Sequence, residues 1–93
     1  MSRLSDEKKN RIKEEILRVL YENSPKAMPT FFVSNAVIRD NEFILGLLKE
    51  MEGVGLIEGL KGKEEQKKTR IIWRMTNKTF KEYQRLAGGG VQG

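Results

Sequence analysis

The hydrophobic and polar residues between positions 5 and 22 recur with the period of an amphipathic helix. Four apolar residues follow the spacing i, i+4, i+7 and i+8, which places them on one helix face. These residues are Ile12, Ile16, Val19 and Leu20. Ser5 or Asp6 can cap the start of this helix and Pro25 follows its end, so we predict a first helix over about residues 5–22.

A cluster of apolar residues at positions 31–38 predicts a second, shorter helix. Six of these eight residues are apolar, so a buried strand is the alternative. We favour a helix because Ser34 and Asn35 interrupt any alternation, and because Pro29 and Thr30 form a helix start signal.

A third helix is predicted over about residues 41–53. Asp40 or Asn41 can cap its start, and Gly53 and Gly55 end it. Its apolar positions are Phe43, Ile44, Leu47, Leu48 and Met51. A turn of three or four residues separates it from the second helix, which is the spacing of a helix-turn-helix.

Two short strands with a polar connection follow the third helix. Residues 56–60 predict the first strand, and residues 69–75 alternate well enough to predict the second. The connection between them, residues 61–68, reads KGKEEQKK and has no apolar residue to bury. We therefore predict a β-hairpin with a long basic tip.

The end of the chain predicts one more helix and a tail. Thr76 can cap a helix over about residues 77–87, with Phe80, Tyr83 and Ala87 facing inward. Residues 88–93 read GGGVQG, which is typical of a flexible tail. The predicted order is helix, helix, helix, β-hairpin, helix, so residues 1–87 are expected to form one α+β domain.

Composition excludes several kinds of chemistry. The 93 residues include neither Cys nor His, which excludes disulfides, thiol nucleophiles and Cys/His zinc sites and removes the commonest general base. No Gly-rich phosphate loop or cluster of metal ligands is visible, so we expect no enzyme activity, no cofactor and no metal. No apolar run approaches the roughly 20 residues of a membrane span. The N-terminus also lacks the apolar segment of a signal peptide, so we expect a cytoplasmic protein without membrane contact.

The net charge of +5 is unevenly distributed along the chain. Residues 31–60 contain two Lys or Arg against five Asp or Glu, a net charge of −3, whereas residues 61–93 contain nine against three, a net charge of +6. The first thirty residues carry +2. Basic surfaces favour polyanionic partners, so any nucleic-acid contact is expected to depend on the last third and on the N-terminal cations.

The order of elements and two motifs resemble the winged helix-turn-helix regulators of the PadR and MarR type. Residues 47–59, LLKEMEGVGLIEG, resemble the end of a recognition helix that runs into the first wing strand. Residues 71–80, IIWRMTNKTF, resemble the second wing strand and the Leu-Thr-x-x-Gly turn of this family, with Thr79 in place of the glycine. The resemblance covers about residues 8–86. It implies three helices, a two-stranded wing and a C-terminal helix.

The resemblance also implies how such a protein binds double-stranded DNA: the third helix enters the major groove and the hairpin tip touches the backbone or minor groove. On the third helix the candidate contacts lie off the apolar stripe and are Asn41, Glu42, Leu45 and Lys49. The alternative is that they are ordinary surface positions. Glu42 and Glu50 weigh against DNA, because carboxylates repel phosphate unless one accepts from cytosine.

Two further groups of residues are candidates for phosphate contact. Those of the second helix and the following turn are Thr30, Ser34, Asn35 and Arg39, and the alternative for Thr30 is helix capping. Those of the wing are Lys61, Lys63, Lys67, Lys68 and Arg70, and the alternative is a solvated loop. For Arg74 the alternative is an ion pair on the outer face of the sheet, and Trp73 is expected in the core or a dimer contact.

Apolar residues outside the stripes suggest a homodimer that presents two recognition helices to a palindromic site. They are Leu4, Leu17, Tyr21, Tyr83 and Leu86. The alternative is a monomer with scattered surface apolar residues.

Three functions remain at the level of the sequence. The first two are transcriptional regulation and binding of a plasmid partition site, as in archaeal partition adaptors, which recruit a ParB-like partner and lie on nucleoid or plasmid DNA. The third is a winged-helix module for protein interaction without DNA contact, which the acidic middle third favours.

Overall fold

The computed structural model describes residues 6–61 and 71–88. In these ranges the elements are α1 (Asp6–Asn23), β1 (Met28–Pro29), α2 (Thr30–Val37), α3 (Asn41–Gly53), β2 (Ile57–Lys61), β3 (Ile71–Met75) and α4 (Asn77–Gly88). The four predicted helices and the predicted hairpin strands are thereby confirmed. Most of the predicted hairpin tip and residues 89–93 of the predicted tail lie outside the described ranges. None of the described helices combines the length and the apolar composition that a membrane span requires.

The sheet contains the predicted two-stranded wing, β2 and β3, and adds a third strand that was not predicted. It has three antiparallel strands in the order β1-β3-β2. Met28 and Pro29 of β1 pair with Trp73 and Ile72 of β3, while Gly59 of β2 lies opposite Trp73 on the other side. Pro29 is compatible with this arrangement because β1 is an edge strand, where a missing N–H leaves no ladder bond unmade.

The core lies where three helices and the sheet meet. Within the described ranges, thirteen buried apolar side chains form it, and they come from the faces that the helical and strand periods predicted. They are Ile12, Ile16, Val19, Leu20, Val33, Val37, Ile44, Leu47, Leu48, Met51, Ile57, Trp73 and Met75. The orientation of α2, α3 and the β2–β3 hairpin follows from this shared core.

The turn between α2 and α3 has three residues and is fixed at both ends. Ile38 adopts the left-handed conformation (φ 55°, ψ 56°), and its N–H donates to the Asn35 carbonyl while that of Arg39 donates to the Ser34 carbonyl. This pair of bonds is the Schellman ending of a helix, at a position that usually holds glycine. Asp40 then caps α3 as predicted, because its Oδ2 accepts from the backbone N–H groups of Glu42 and Phe43.

The predicted turn before α4 is present with the threonine that replaces glycine. Thr76 caps α4, since its Oγ1 accepts from the Thr79 N–H at 3.3 Å. The two hydroxyl oxygens of Thr76 and Thr79 lie 2.9 Å apart, and Thr79 is buried. The hydroxyl of Thr79 is therefore hydrogen-bonded within the turn.

Candidate nucleic-acid interface

The outer face of α3 presents three of its four predicted contact residues to solvent. Asn41, Glu42 and Lys49 are exposed, whereas Leu45 is half-buried and packs against the core. Gly46 lies on the same face, where an added Cβ atom would meet no other side chain or element of the described ranges within 4 Å. The middle of this face therefore carries no protruding side chain, whereas its start presents the amide of Asn41 and its end the amine of Lys49.

Ser34 on α2 contacts the first residue of α3, Asn41. Its side chain is only 3% exposed, and its Oγ lies 3.1 Å from both the Phe31 carbonyl and Asn41 Oδ1, which share its single proton. This burial is at odds with the predicted phosphate contact of Ser34, because the hydroxyl faces the protein. Ser34 instead orients the amide of Asn41. Asn35 and Arg39 are exposed, as their predicted role requires.

Thr30 makes a contact that the sequence did not indicate. Pro29 occupies the N-cap position of α2, and no side chain caps the helix there, so the capping alternative for Thr30 is wrong. Thr30 Oγ1 instead accepts a hydrogen bond of 2.9 Å from Trp73 Nε1. Trp73 itself is in the core, as predicted.

A groove of about 300 Å³ separates α3 from the β2–β3 hairpin, which we call the wing. The residues that line this α3–wing groove are Lys49, Glu52, Gly59, Leu60, Lys61, Ile71 and Trp73. Lys49 and Lys61 are both exposed, so two predicted cations from different elements meet at one surface. The other predicted wing cations lie outside the described residues: Lys63, Lys67, Lys68 and Arg70.

Contacts within the protein occupy two of the carboxylates on α3. Lys13 Nζ on α1 lies 3.1 Å from Glu50 Oε1, and Glu52 Oε2 accepts from the Gly59 N–H at 3.2 Å. The hydrogen bond and the positive charge of Lys13 lower the pKa of Glu50 below its usual 4.5. The ion pair with Lys13 reduces the repulsion toward phosphate that the sequence predicted for Glu50. The other carboxylate of that prediction, Glu42, is exposed.

A second groove, of about 720 Å³, lies at the junction of the outer sheet face and the start of α4. Arg74 and Glu58 both line it, and Arg74 Nε donates to Glu58 Oε2 at 2.7 Å. The ion pair predicted as the alternative for Arg74 is thereby confirmed. The charges of this pair cancel, and no lysine of the described residues lines this groove. The α3–wing groove, in contrast, is lined by Lys49 and Lys61.

The predicted dimer residues divide into packed and exposed positions. Leu17, Tyr21 and Tyr83 are half-buried against the core, and the ring centroids of Tyr21 and Tyr83 are 4.8 Å apart. Leu86 on α4 is 73% exposed, whereas Leu4 lies outside the described residues. The aromatic pair thus joins α1 to α4 within one chain, and Leu86 is the apolar side chain that it leaves in solvent.

Over residues 6–61 and 71–88, no group of three or more acidic side chains is arranged to hold a metal ion. No family model matches the chain, and no curated protein has a matching sequence.

Solved structures share the fold at low sequence identity. A mutant form of ZitR from Lactococcus lactis superimposes with a TM-score of 0.69 at 17% identity, over 97% of this chain and 58% of the other. NadR in complex with 4-hydroxyphenylacetate gives 0.67 at 18%, over 96% and 78%. The homodimeric winged helix-turn-helix DNA-binding domain of a possible ArsR-family regulator from Mycobacterium bovis gives 0.58 at 17%, over 99% and 94%.

The fold is therefore a winged helix. ZitR is described as a zinc-responsive MarR family member, and this chain spans about 58–63% of the length of ZitR and of MepR from S. aureus. It corresponds to nearly the whole length of the mycobacterial DNA-binding domain.

Proposed function

We propose that this protein binds double-stranded DNA at specific sites as a homodimer, with α3 in the major groove and the wing on the backbone. The observation that carries the proposal is the α3–wing groove, where Lys49 and Lys61 flank one surface beside the exposed face of α3. An α-helix fits the major groove, where base edges are distinguishable. Phosphates on either side of that groove are neutralised by Lys and Arg.

The division of labour follows from charge and geometry. Asn41 presents an amide that can hydrogen-bond base edges, held in place by Ser34. Lys49, Lys61 and the wing cations supply affinity that does not depend on sequence. The neighbours that are DNA-binding domains or MarR-family proteins support this assignment. A zinc response is not proposed, because the chain has neither Cys nor His.

The biological role that we propose is transcriptional regulation of the PadR or MarR type, in the cytoplasm. The finer alternative is a partition-site adaptor resembling AspA, which spreads along DNA and recruits a ParB-like partner. DNase footprinting on DNA from the protein's own genetic neighbourhood separates the two. One protected site supports regulation, whereas a footprint that extends with protein concentration supports spreading.

Binding of the full chain to labelled duplex DNA tests the proposal by fluorescence anisotropy across a salt series. Log affinity is expected to fall linearly with log salt, and Lys49→Ala and Lys61→Ala are each expected to flatten the slope by about 1. Lys81→Ala is the matched control, since Lys81 is an exposed lysine of α4 that does not line the groove. Absence of duplex affinity at about 50 mM salt would reject the proposal.

One observation favours the protein-interaction alternative. Phe31 and Ile38 expose 52% and 84% of their surface on α2 and the following turn, and the acidic residues Asp40 and Glu42 follow them in the sequence. Protein capture without duplex affinity is the outcome that this alternative predicts.

A further inference from the structure

Trp73 lies at the centre of the sheet, directly beneath the α3–wing groove. It is 1% exposed and contributes to the floor of that groove. Its strand, β3, is the middle one of three, so Trp73 has Met28 on one side and Gly59 on the other. Trp73 thus pairs with both neighbouring strands and lines the groove along which DNA is proposed to lie.

The six-membered ring of Trp73 covers Gly59 on the wing. A Cβ atom at position 59 would lie 2.8 Å from Trp73 Cζ3, a distance that real Cβ atoms essentially never show, and 3.1 Å from Cε3. Only glycine leaves the space that the ring occupies, which is the way an aromatic side chain shields a glycine on an edge strand. The ring of Trp73 on β3 therefore packs directly on Gly59 of the paired strand β2.

The other edge of the same ring is tied to the helix-turn-helix. Trp73 Nε1 donates to Thr30 Oγ1 at the first residue of α2, at 2.9 Å. The backbone N–H of Gly59, which the Trp73 ring covers, donates to Glu52 Oε2 near the end of α3. A continuous chain of contacts thus runs from α2 through Trp73 and Gly59 to α3.

We infer that Trp73 and Thr30 are positioning residues of the interface: their hydrogen bond holds the base of the wing at a fixed angle to the two helices. The inference rests on the proposed DNA binding. Neither side chain needs to touch DNA. The bond restricts the wing to the orientation in which Lys61 and Lys49 face one DNA backbone. If the wing can leave that orientation, the apparent affinity falls with the fraction of molecules that still hold it.

Three substitutions test the bond without deleting a side chain from the core. Thr30→Val keeps the shape and removes the hydroxyl, Trp73→Phe removes the indole N–H, and Thr30→Ser restores the hydroxyl. Thr30→Val and Trp73→Phe are each expected to weaken duplex affinity by about three- to tenfold, the range set by one hydrogen bond. Thr30→Ser is expected to retain wild-type affinity.

A double-mutant cycle separates positioning from direct contact. If the two residues act through one shared bond, the double variant Thr30→Val with Trp73→Phe loses no more affinity than either single variant. Losses that multiply would show that the two side chains act independently and would overturn the inference. Combining Thr30→Val with Lys61→Ala gives the second readout: the Lys61 effect is expected to shrink, because a displaced wing has already lost that contact.

A measurement without DNA keeps the inference testable if the Phe variant unfolds. Trp73 is the only tryptophan of the chain, so it gives a single indole N–H signal by NMR. Slow exchange of that proton is expected in the wild type and in Thr30→Ser, and fast exchange in Thr30→Val. If the wild type binds duplex DNA and Thr30→Val binds with the same affinity, the positioning role is rejected and the proposed function stands. If the wild type has no duplex affinity, both the proposed function and the positioning role are rejected.

Discussion

Gly59 and Gly46 occupy opposite kinds of site in the same protein. Gly59 has the ring of Trp73 at a distance that excludes a Cβ atom, whereas Gly46, in the middle of α3, has nothing within 4 Å of one. The first is required by packing. The second gives up helix stability, because glycine lowers helix stability relative to alanine.

Alanine substitutions at these two glycines are expected to have opposite signs. Gly59→Ala should lower the free energy of unfolding by about 1–3 kcal/mol, since the Trp73 ring must move. Gly46→Ala should raise it by about 0.5–1 kcal/mol. Urea unfolding of both variants measures the difference, and equal stabilities would contradict the described position of the Trp73 ring.

Single residues also show why polar character alone does not identify a contact residue. Ser34 and Asn35 are neighbours of similar polarity, and both were predicted to contact phosphate. The helical period places Ser34 toward α3, where it bonds Asn41, and leaves Asn35 in solvent. Which of two adjacent polar residues is accessible depends on the element that packs against the helix, and the sequence did not indicate that α3 packs against Ser34.

At the scale of elements, α1 is joined to α3 by more than the core. Lys13 and Glu50 form an ion pair at 3.1 Å, and the lowered pKa of Glu50 means that the folded protein binds its proton less readily than the unfolded chain. The stabilising effect is therefore complete above the usual pKa of 4.5 and is lost as pH falls through the lowered value. The pair therefore stabilises the fold at neutral pH and ceases to do so in acid.

Removing Lys13 is expected to return Glu50 to its ordinary titration. In Lys13→Met the pKa of Glu50 should rise toward 4.5, because both the hydrogen bond and the charge of Lys13 are gone. Lys9→Met is the control and should give a smaller rise, since Lys9 acts on Glu50 through charge alone. An NMR titration of the Glu50 carboxyl measures all three proteins. An unchanged pKa in Lys13→Met would refute the pairing.

The strand β1 shows which elements escape a pattern-based prediction. It has two residues, and one of them is Pro29, so neither alternation nor β propensity marks it. It exists because β3 offers it a partner: Met28 and Pro29 lie opposite Trp73 and Ile72. The longer elements were predictable because each repeats its period over several residues and begins at a recognisable cap, such as Asp40.

At the scale of the whole molecule, the proposed homodimer requires an exposed apolar surface. Tyr21 contacts Tyr83 and Phe80 at ring distances of 4.8 and 5.2 Å within one chain, which fixes α4 against α1. This packing leaves Leu86 on α4 exposed at 73%. An apolar side chain next to an aromatic cluster suits a self-complementary interface.

Leu86→Glu is expected to weaken the proposed dimer by more than about tenfold, because it buries a charge in the contact. Val54→Glu is the matched control, since Val54 is also 73% exposed but lies after α3, and the dimer should persist. Size-exclusion chromatography with light scattering reads the mass of each. A monomeric wild type, or dimeric Leu86→Glu, would count against this interface.

The sequence alone determined the order and approximate limits of the helices and of the hairpin, because period and caps are local properties of neighbouring residues. It also placed the excess positive charge after residue 60 and excluded Cys and His chemistry. The tertiary structure decided which polar residues remain accessible, how Glu50 and Glu52 are engaged, and that Lys49 and Lys61 share a groove. It alone showed the bond between Thr30 and Trp73, since those residues lie 43 positions apart and only the packing of the sheet against α2 brings them together.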